Sequence, residues 1–145
     1  MPDRCLEQIR RSDVVLHAGD FASEGVLDEI EALGTSLHAV HGNVDPPRLR
    51  KRLPRELELE LGGVRVAMLH DAGPAKGRLE RMRSRFPDAQ VVVFGHSHLP
   101  LQERRPGFQI FNPGSPTERR RAPNHTMGVA RLHRGRAELR HLILD

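Results

Sequence analysis

Residues 91–98 read Val-Val-Val-Phe-Gly-His-Ser-His. Four consecutive apolar residues followed by glycine predict a short strand that is buried on both faces and ends in two histidines. Residues 14–20, Val-Val-Leu-His-Ala-Gly-Asp, repeat this pattern with an aspartate at the end. Functional groups in α/β sheets gather beyond the carboxyl ends of the strands. The two segments therefore predict both a sheet and the position of its site.

Short helical and strand-like patterns alternate over the first two thirds of the chain, and a meander of strands follows. The predicted helices cover residues 3–11, 24–33 and 76–86, and the predicted strands cover residues 14–17, 37–41, 56–61, 64–69, 91–94, 100–104, 108–111, 127–132 and 136–144. Ser23 is the expected N-cap of the second helix. Gly62 and Gly63 predict a two-residue hairpin turn. This order of elements indicates a layered α/β domain.

Composition limits the classes to which the protein can belong. The chain has 145 residues, which is the size of one domain, and a net charge of +4. No apolar run reaches the roughly 18 residues that a membrane span needs, so we expect no membrane partner. Cys5 is the single cysteine, which excludes an internal disulfide bond and favours a reducing, cytoplasmic location. The absence of Trp and Tyr argues against a nucleic-acid surface built on aromatic stacking.

The basic residues leave a role in nucleic-acid binding open. Arginine outnumbers lysine 21 to 2, a bias that either codon usage or an anionic ligand explains. One cluster comprises Arg48, Arg50, Lys51, Arg52 and Arg55. It forms either a patch that faces phosphate or a solvated helix face.

Four predicted strands end in possible metal ligands. These residues are Asp20, Asn43, His70, His96 and His98. Each residue alone has an ordinary explanation as a turn or capping residue, but their recurrence at four strand ends indicates one site. Oxygen and nitrogen donors without sulfur suit Mn²⁺, Fe²⁺ or Zn²⁺ and argue against a structural cysteine-rich zinc site. Two ions that share a carboxylate catalyse phosphoryl transfer in many enzymes.

The motifs Gly19-Asp20, Gly42-Asn43-Val44-Asp45, His70, Gly95-His96-Ser97-His98 and Asn112-Pro113-Gly114-Ser115 occur in this order along the chain. In order and spacing they resemble the calcineurin-type metallophosphoesterase superfamily, in particular its small single-domain bacterial and archaeal phosphodiesterases. The resemblance implies a four-layer αββα sandwich of two mixed β-sheets flanked by helices, formed by a single domain over residues 1–145.

The resemblance also implies a function and assigns roles to residues. Asp20 would bridge two divalent ions. The other ligands of one ion would be Asn43, His70 and His96, and His98 would bind the other ion. The implied reaction is hydrolysis of a small phosphodiester by a hydroxide that two ions activate, with manganese expected first and iron, zinc or nickel as alternatives. Asn43, Asp45 and His98 are the expected catalytic residues, and Asp45 stands where related enzymes place a histidine that assists the leaving group. Arg119, Arg120 and Arg121 either bind the substrate phosphate or form a solvated loop.

The chain departs from the family pattern at two places. Asp71 follows His70 where the family has Gly-His, and no Asp-x-His motif occurs anywhere in the sequence. In the family that motif ends the first, central strand and completes the second metal site. We therefore expect a domain that is N-terminally incomplete and holds one well-ligated ion. Three alternative explanations for the missing motif stay open: a misassigned start, a truncation or a real loss of one ion.

A non-catalytic alternative and the oligomeric state also stay open. The same superfamily contains a retromer scaffold subunit, so a protein-interaction scaffold with a degenerate metal site is the alternative function. An exposed strand edge could drive pairing of chains, but the sequence does not determine the oligomeric state.

Overall fold

The computed structural model describes residues 1–21 and 23–145. Within these residues the chain forms four helices and nine strands. The helices are α1 (Asp3–Arg11), α2 (Glu24–Ala32), α3 (Pro47–Arg52) and α4 (Arg78–Arg85), and the strands are β1 (Val14–His17), β2 (Ser36–Ala39), β3 (Glu56–Leu61), β4 (Val64–Leu69), β5 (Val91–Val93), β6 (Leu101–Arg105), β7 (Phe108–Asn112), β8 (Thr126–His133) and β9 (Arg136–Ile143). None of the helices in these ranges is long and apolar enough to cross a membrane.

The centre of the fold is a five-stranded mixed sheet in the order β3-β4-β5-β7-β6. The three inner strands run parallel, and the two edge strands pair antiparallel to them. All three residues of β5 are buried, as the run of three valines predicts for a strand covered on both faces. β3 and β4 form the predicted hairpin, in which Leu61 pairs with Val64 across the two glycines.

Each face of the five-stranded sheet packs against a different layer. On one face, Ala67 and Val92 pack with Leu79 and Met82 of α4. On the other face, a second cluster includes Val64, Val66 and Met68 of β4, and it receives apolar side chains from β1, β8 and β9. The alternation of side chains along β4 therefore directs neighbouring residues into two different cores.

A third core lies outside the second strand layer. Leu27 and Ile30 of α2 and Leu49 of α3 pack with Ala39 of β2 and with Phe21. The layers are therefore α4, the five-stranded sheet, the strands β1, β2, β8 and β9, and the outer helices. This arrangement confirms the predicted α/β sandwich with helices on the outside.

The second strand layer differs from the single mixed sheet that we expected. In the described part of the chain it consists of two separate strand pairs, parallel β1-β2 and antiparallel β8-β9. β1 pairs along one side with β2, and Val14 lies opposite Ser36.

Element boundaries shift by one or two residues from the predictions, for local reasons. Helix α2 ends at Ala32, and Ser23 occupies the predicted N-cap position without a side-chain capping hydrogen bond. Helix α4 begins at Arg78 because Gly77, with φ of 69°, adopts the left-handed conformation immediately before it. Strand β2 ends at Ala39, so the chain leaves the sheet before the predicted ligand loop begins.

Candidate metal centre

The carboxyl ends of β1, β2, β4 and β5 bring four side chains together. His70 Nε2 lies 2.9 Å from Asn43 Oδ1 and 3.2 Å from Asp20 Oδ2. His96 Nδ1 lies 3.2 Å from Asn43 Oδ1 and 3.3 Å from His70 Nε2. Candidate ligand atoms of Asp20, His70 and His96 all lie within 4.8 Å of one another. The expected donors of one ion are thus close enough to share a cation.

The positions of protons in this cluster favour a cation at its centre. His70 Nδ1 lies 2.7 Å from the Ala18 carbonyl and donates to it, so Nε2 turns a lone pair toward the oxygens of Asp20 and Asn43. Asp20 Oδ2 is buried and has no hydrogen-bond partner among the described residues. A buried carboxylate oxygen without a partner is costly. A divalent cation would satisfy these atoms together. The donor set therefore fits a metal ion.

The backbone near the donors adopts conformations that side chains rarely tolerate. Asp20, His96 and His98 have φ values of 60°, 70° and 61°, in the left-handed region. A Cβ atom at Gly42 would lie 2.0 Å from Asp20 Oδ1, so only glycine allows the β2 loop to approach that carboxylate. Strain of this kind is concentrated at functional sites in proteins.

Asp45, expected among the catalytic residues, occupies a different setting. Its side chain is buried, and its carboxylate oxygens accept hydrogen bonds from the backbone N–H groups of Asp20 at 2.9 Å, Phe21 at 2.6 Å and Gly42 at 2.6 Å. These bonds join the loop after β1 to the loop after β2. The geometry favours a positioning role for Asp45 over the catalytic role that the resemblance implied.

His98 is not one of the three residues in the Asp20–His70–His96 group, and its expected place at a second ion stays a prediction. Its Nδ1 donates to the Glu118 carbonyl at 2.6 Å, which leaves Nε2 as the nitrogen available to a ligand. Burial lowers the pKa of His98 below its ordinary value, although the Glu118 carbonyl acts in the opposite direction.

Comparison with known proteins identifies the family. Residues 1–135 match the model of the calcineurin-like phosphoesterase superfamily domain. The chain belongs to this superfamily. It is 30% identical over 119 residues to a probable metallophosphoesterase of Methanothermobacter thermautotrophicus, a match that covers 81% of this chain and 68% of that protein. It is 29% identical over 114 residues to a phosphodiesterase of Methanocaldococcus jannaschii, a match that covers 70% of this chain and 66% of that protein.

The fold also resembles solved structures. Wild-type Vps29 of Entamoeba histolytica, solved in complex with Zn²⁺, aligns with a TM-score of 0.78 at 17% identity. The alignment covers all of this chain and 91% of Vps29. At this identity the likeness establishes the fold alone.

Two residues of the Asn-Pro-Gly-Ser loop make hydrogen bonds to the segment that carries the histidines. Asn112 is fully buried, and its Nδ2 donates to the Gly95 carbonyl and to Ser97 Oγ, each at 3.1 Å. Ser115 Oγ accepts from the N–H of Glu118, the residue whose carbonyl binds His98. The sequence contains this loop as a motif, but its supporting role becomes evident only when the loop packs under the histidines.

His17 is a further residue of the site that the sequence interpretation missed. Its ring stacks on Phe21 with centroids 3.7 Å apart, and its Nδ1 accepts from the Gly19 N–H at 3.1 Å. Burial lowers its pKa to about 4, although the nearby carboxylates of Asp45 and Asp20 favour the charged form. His17 is therefore neutral at pH 7 and shapes the turn that carries Asp20.

The three arginines expected to bind substrate differ in position. Arg120 Nη1 donates to the His96 carbonyl at 2.7 Å, which places this side chain at the site. Arg119 instead donates to the carbonyls of Ala122 and Pro123 within its own loop. Arg121 is exposed. The structure thus brings one of the three next to the histidines.

The basic cluster around α3 does not form one surface. Arg52 contacts Glu24 and Asp28 of α2 at 3.4 and 3.5 Å, and Arg48 lies 4.0 Å from Glu24. Arg50 instead points away from α2 and donates to the Asn43 carbonyl at 2.6 Å. The side chains of this cluster therefore divide between two sides of α3, and whether either side binds phosphate stays a prediction.

Proposed function

We propose that the protein hydrolyses small phosphodiesters with divalent metal ions held at this centre. The observation that carries the proposal is the convergence of four donor side chains, from Asp20, Asn43, His70 and His96. One of the donor atoms, the buried Asp20 Oδ2, has no hydrogen-bond partner among the described residues. The phosphodiesterase among the archaeal relatives supports the same class of reaction. Because this chain spans about two thirds of the length of those relatives, the proposal concerns the whole protein as much as this part.

The donors favour one complete ion site and a second, partial one. Asp20, Asn43, His70 and His96 would hold the first ion. Asp20 and His98 would contribute to a second. Nitrogen and oxygen donors of this kind suit manganese, with iron, zinc and nickel as alternatives. Ions bound there would lower the pKa of a water nucleophile and neutralise charge that develops on the phosphoryl oxygens.

The chain itself would position and stabilise the substrate. His98 keeps its Nε2 available because Nδ1 is committed to the Glu118 carbonyl. Arg120 donates to the His96 carbonyl, so its positive charge lies beside the histidine loop. A guanidinium at this position would bind a phosphoryl oxygen in the transition state. The role of Arg120 as a substrate ligand is part of this proposal.

Metal loading and turnover test the proposal together. The purified protein is loaded with Mn²⁺, analysed for metal per chain, and assayed with bis(p-nitrophenyl) phosphate before and after treatment with chelator. We expect bound manganese and hydrolysis that the chelator abolishes. His70→Ala should lose both, whereas His133→Ala, on the exposed end of β8, should keep both.

The same experiment separates the enzyme from the scaffold alternative. Manganese that binds through His70 without hydrolysis of this diester or of a dinucleotide would favour a scaffold that retains a metal site. Metal content unchanged by His70→Ala would contradict the assignment of the centre.

A further inference from the structure

A strongly basic pocket of about 590 Å³ opens beside the metal centre. Asn43 and His70 line it, so the pocket and the centre share a wall. Arg50 also lines it and donates from Nη2 to the Asn43 carbonyl at 2.6 Å. A volume of this size lies in the range of small-ligand sites. A molecule bound at the ions could therefore extend into the pocket.

The charges that line this pocket are not balanced within it. Its wall contains Arg50, Arg55, Arg81 and Arg85, against the two carboxylates Glu56 and Asp71. Arg85 is paired with Glu56, its Nε lying 3.0 Å from Oε2. Asp71 is exposed and already accepts the N–H of Gly73. The positive charges of the remaining arginines thus exceed the available negative charge.

Arg50 and Arg81 are held in place by main-chain carbonyls, which do not neutralise their charge. Arg50 donates from Nε to the Asp45 carbonyl, and Arg81 donates from Nη2 to the carbonyls of Ala72 and Pro74. Main-chain carbonyls fix a guanidinium but carry no net charge. Arg55 makes no hydrogen bond or ion pair with any residue in the described ranges. Two fixed cations and one uncommitted cation therefore face the same space.

This arrangement contrasts with the opposite face of α3. There Arg52 lies within 3.6 Å of carboxylate oxygens of Glu24, Asp28 and Glu31, so its charge is compensated inside the protein. The pocket wall holds four arginines, and among the described residues only Arg85 is paired with a carboxylate there, that of Glu56. An external anion is the partner that this charge distribution would accept.

We propose that the pocket binds a second phosphate group of the substrate, so that the preferred substrates are small diesters that carry an additional phosphate beside the scissile one. The proposal rests on the proposed function, and it narrows the substrate class from any phosphodiester to phosphorylated dinucleotides and molecules of similar charge. Arginine binds phosphate oxygens through paired N–H donors, which gives orientation as well as attraction.

Two dinucleotides that differ by one phosphate test this specificity. The values of kcat/KM are compared for thymidylyl-thymidine, TpT, and for its 5′-phosphorylated form, pTpT. We expect the wild-type protein to prefer pTpT by about tenfold, the effect of one well-placed charge-assisted contact. Arg55→Gln should remove most of that preference. Arg48→Gln, on the opposite face of α3, should retain it.

A binding measurement decides the question independently of catalysis. Metal-free protein is titrated with pyrophosphate by calorimetry, and the same two variants are compared. Weaker binding in Arg55→Gln alone supports the pocket. Equal binding in all three proteins, or equal kcat/KM for TpT and pTpT, overturns the inference and leaves the proposed function standing. Hydrolysis of bis(p-nitrophenyl) phosphate without hydrolysis of either dinucleotide overturns the inference about the substrate. Failure to hydrolyse all three diesters overturns the proposed function, while the titration still tests the pocket.

Discussion

Replacement of Asp45 distinguishes a positioning residue from a catalytic one. The Asp45 carboxylate accepts backbone N–H groups from Asp20, Phe21 and Gly42 at 2.9, 2.6 and 2.6 Å. Asp45→Ala removes the acceptor and leaves these donors in a largely buried region. The loop that carries Asp20 and the loop that follows β2 would then lose the bonds that join them.

The expected destabilisation follows from the kind of bonds lost. A hydrogen bond to a charged group contributes about 1.5–3 kcal/mol, and three bonds to one carboxylate are not additive. We expect Asp45→Ala to lower the free energy of unfolding by about 3–5 kcal/mol, the range for breaking a buried charged interaction. Asp45→Asn should lower the free energy of unfolding by about 2–3 kcal/mol. The amide oxygen still accepts a hydrogen bond, but the amide nitrogen is a donor and faces a backbone N–H that then has no acceptor.

Urea denaturation followed by circular dichroism measures this effect. With a slope of about 2 kcal/mol/M, the midpoint of Asp45→Ala should fall by about 1.5–2.5 M. Manganese affinity should fall together with stability, because the same bonds position Asp20. Asp88→Asn, at an exposed carboxyl, should stay within about 0.5 kcal/mol of the wild type. An Asp45→Asn variant with wild-type midpoint and metal affinity but slow hydrolysis would refute this reasoning and restore the leaving-group role.

Two further predictions concern the turns beneath the metal centre. Gly42→Ala places a Cβ atom 2.0 Å from Asp20 Oδ1, so manganese affinity measured by calorimetry should fall about tenfold or more, whereas Gly25→Ala in α2 should leave it unchanged. The pKa of His17 is about 4 in the folded protein and 6.5 in the unfolded chain, so the unfolded chain binds a proton at a higher pH. In metal-free protein, His17 should therefore lower the free energy of unfolding by about 3 kcal/mol as the pH falls from 6.5 to 4. Urea melts of His17→Gln should show a smaller decline, and an equal decline would contradict this assignment.

The proximity of the candidate metal donors was predictable from the sequence because each follows a recognisable strand. The run of valines before Gly95 specifies a buried strand, and the chain direction then fixes the edge at which His96 emerges. The same reasoning places Asp20 after β1 and His70 after β4. Because β1 pairs in parallel with β2, and β4 with β5, the residues that follow these strands emerge at the same end of each pair.

The role of Asp45 could not be predicted in this way. Its bond to the Gly42 N–H is a local turn interaction that the spacing permits, but its bonds to Asp20 and Phe21 span 25 and 24 residues. Those bonds exist only because β1 and β2 lie side by side. A carboxylate at this position therefore has the same appearance in the sequence whether it acts on a substrate or on the backbone.

The charge of α3 presented a similar ambiguity. Arg50 and Arg52 are two positions apart on one short helix, so their side chains point to different sides. Arg52 contacts the acidic residues of α2, whereas Arg50 lies at the pocket next to Asn43. Net charge and clustering are properties of the sequence, whereas compensation of that charge depends on which element packs against which face.

The backbone at the candidate metal centre adopts conformations that few side chains other than glycine tolerate. Among the described residues, five other than glycine have positive φ, and four of them, Asp20, His96, His98 and Arg120, lie at or next to the centre. Each such conformation costs about 1–3 kcal/mol and persists only where the surroundings determine it. Here the surroundings are the Asp45 carboxylate under one loop and the Asn112 amide under the other. The fold thus spends part of its stability on orienting these groups, so less of the binding energy of an ion is needed to order them.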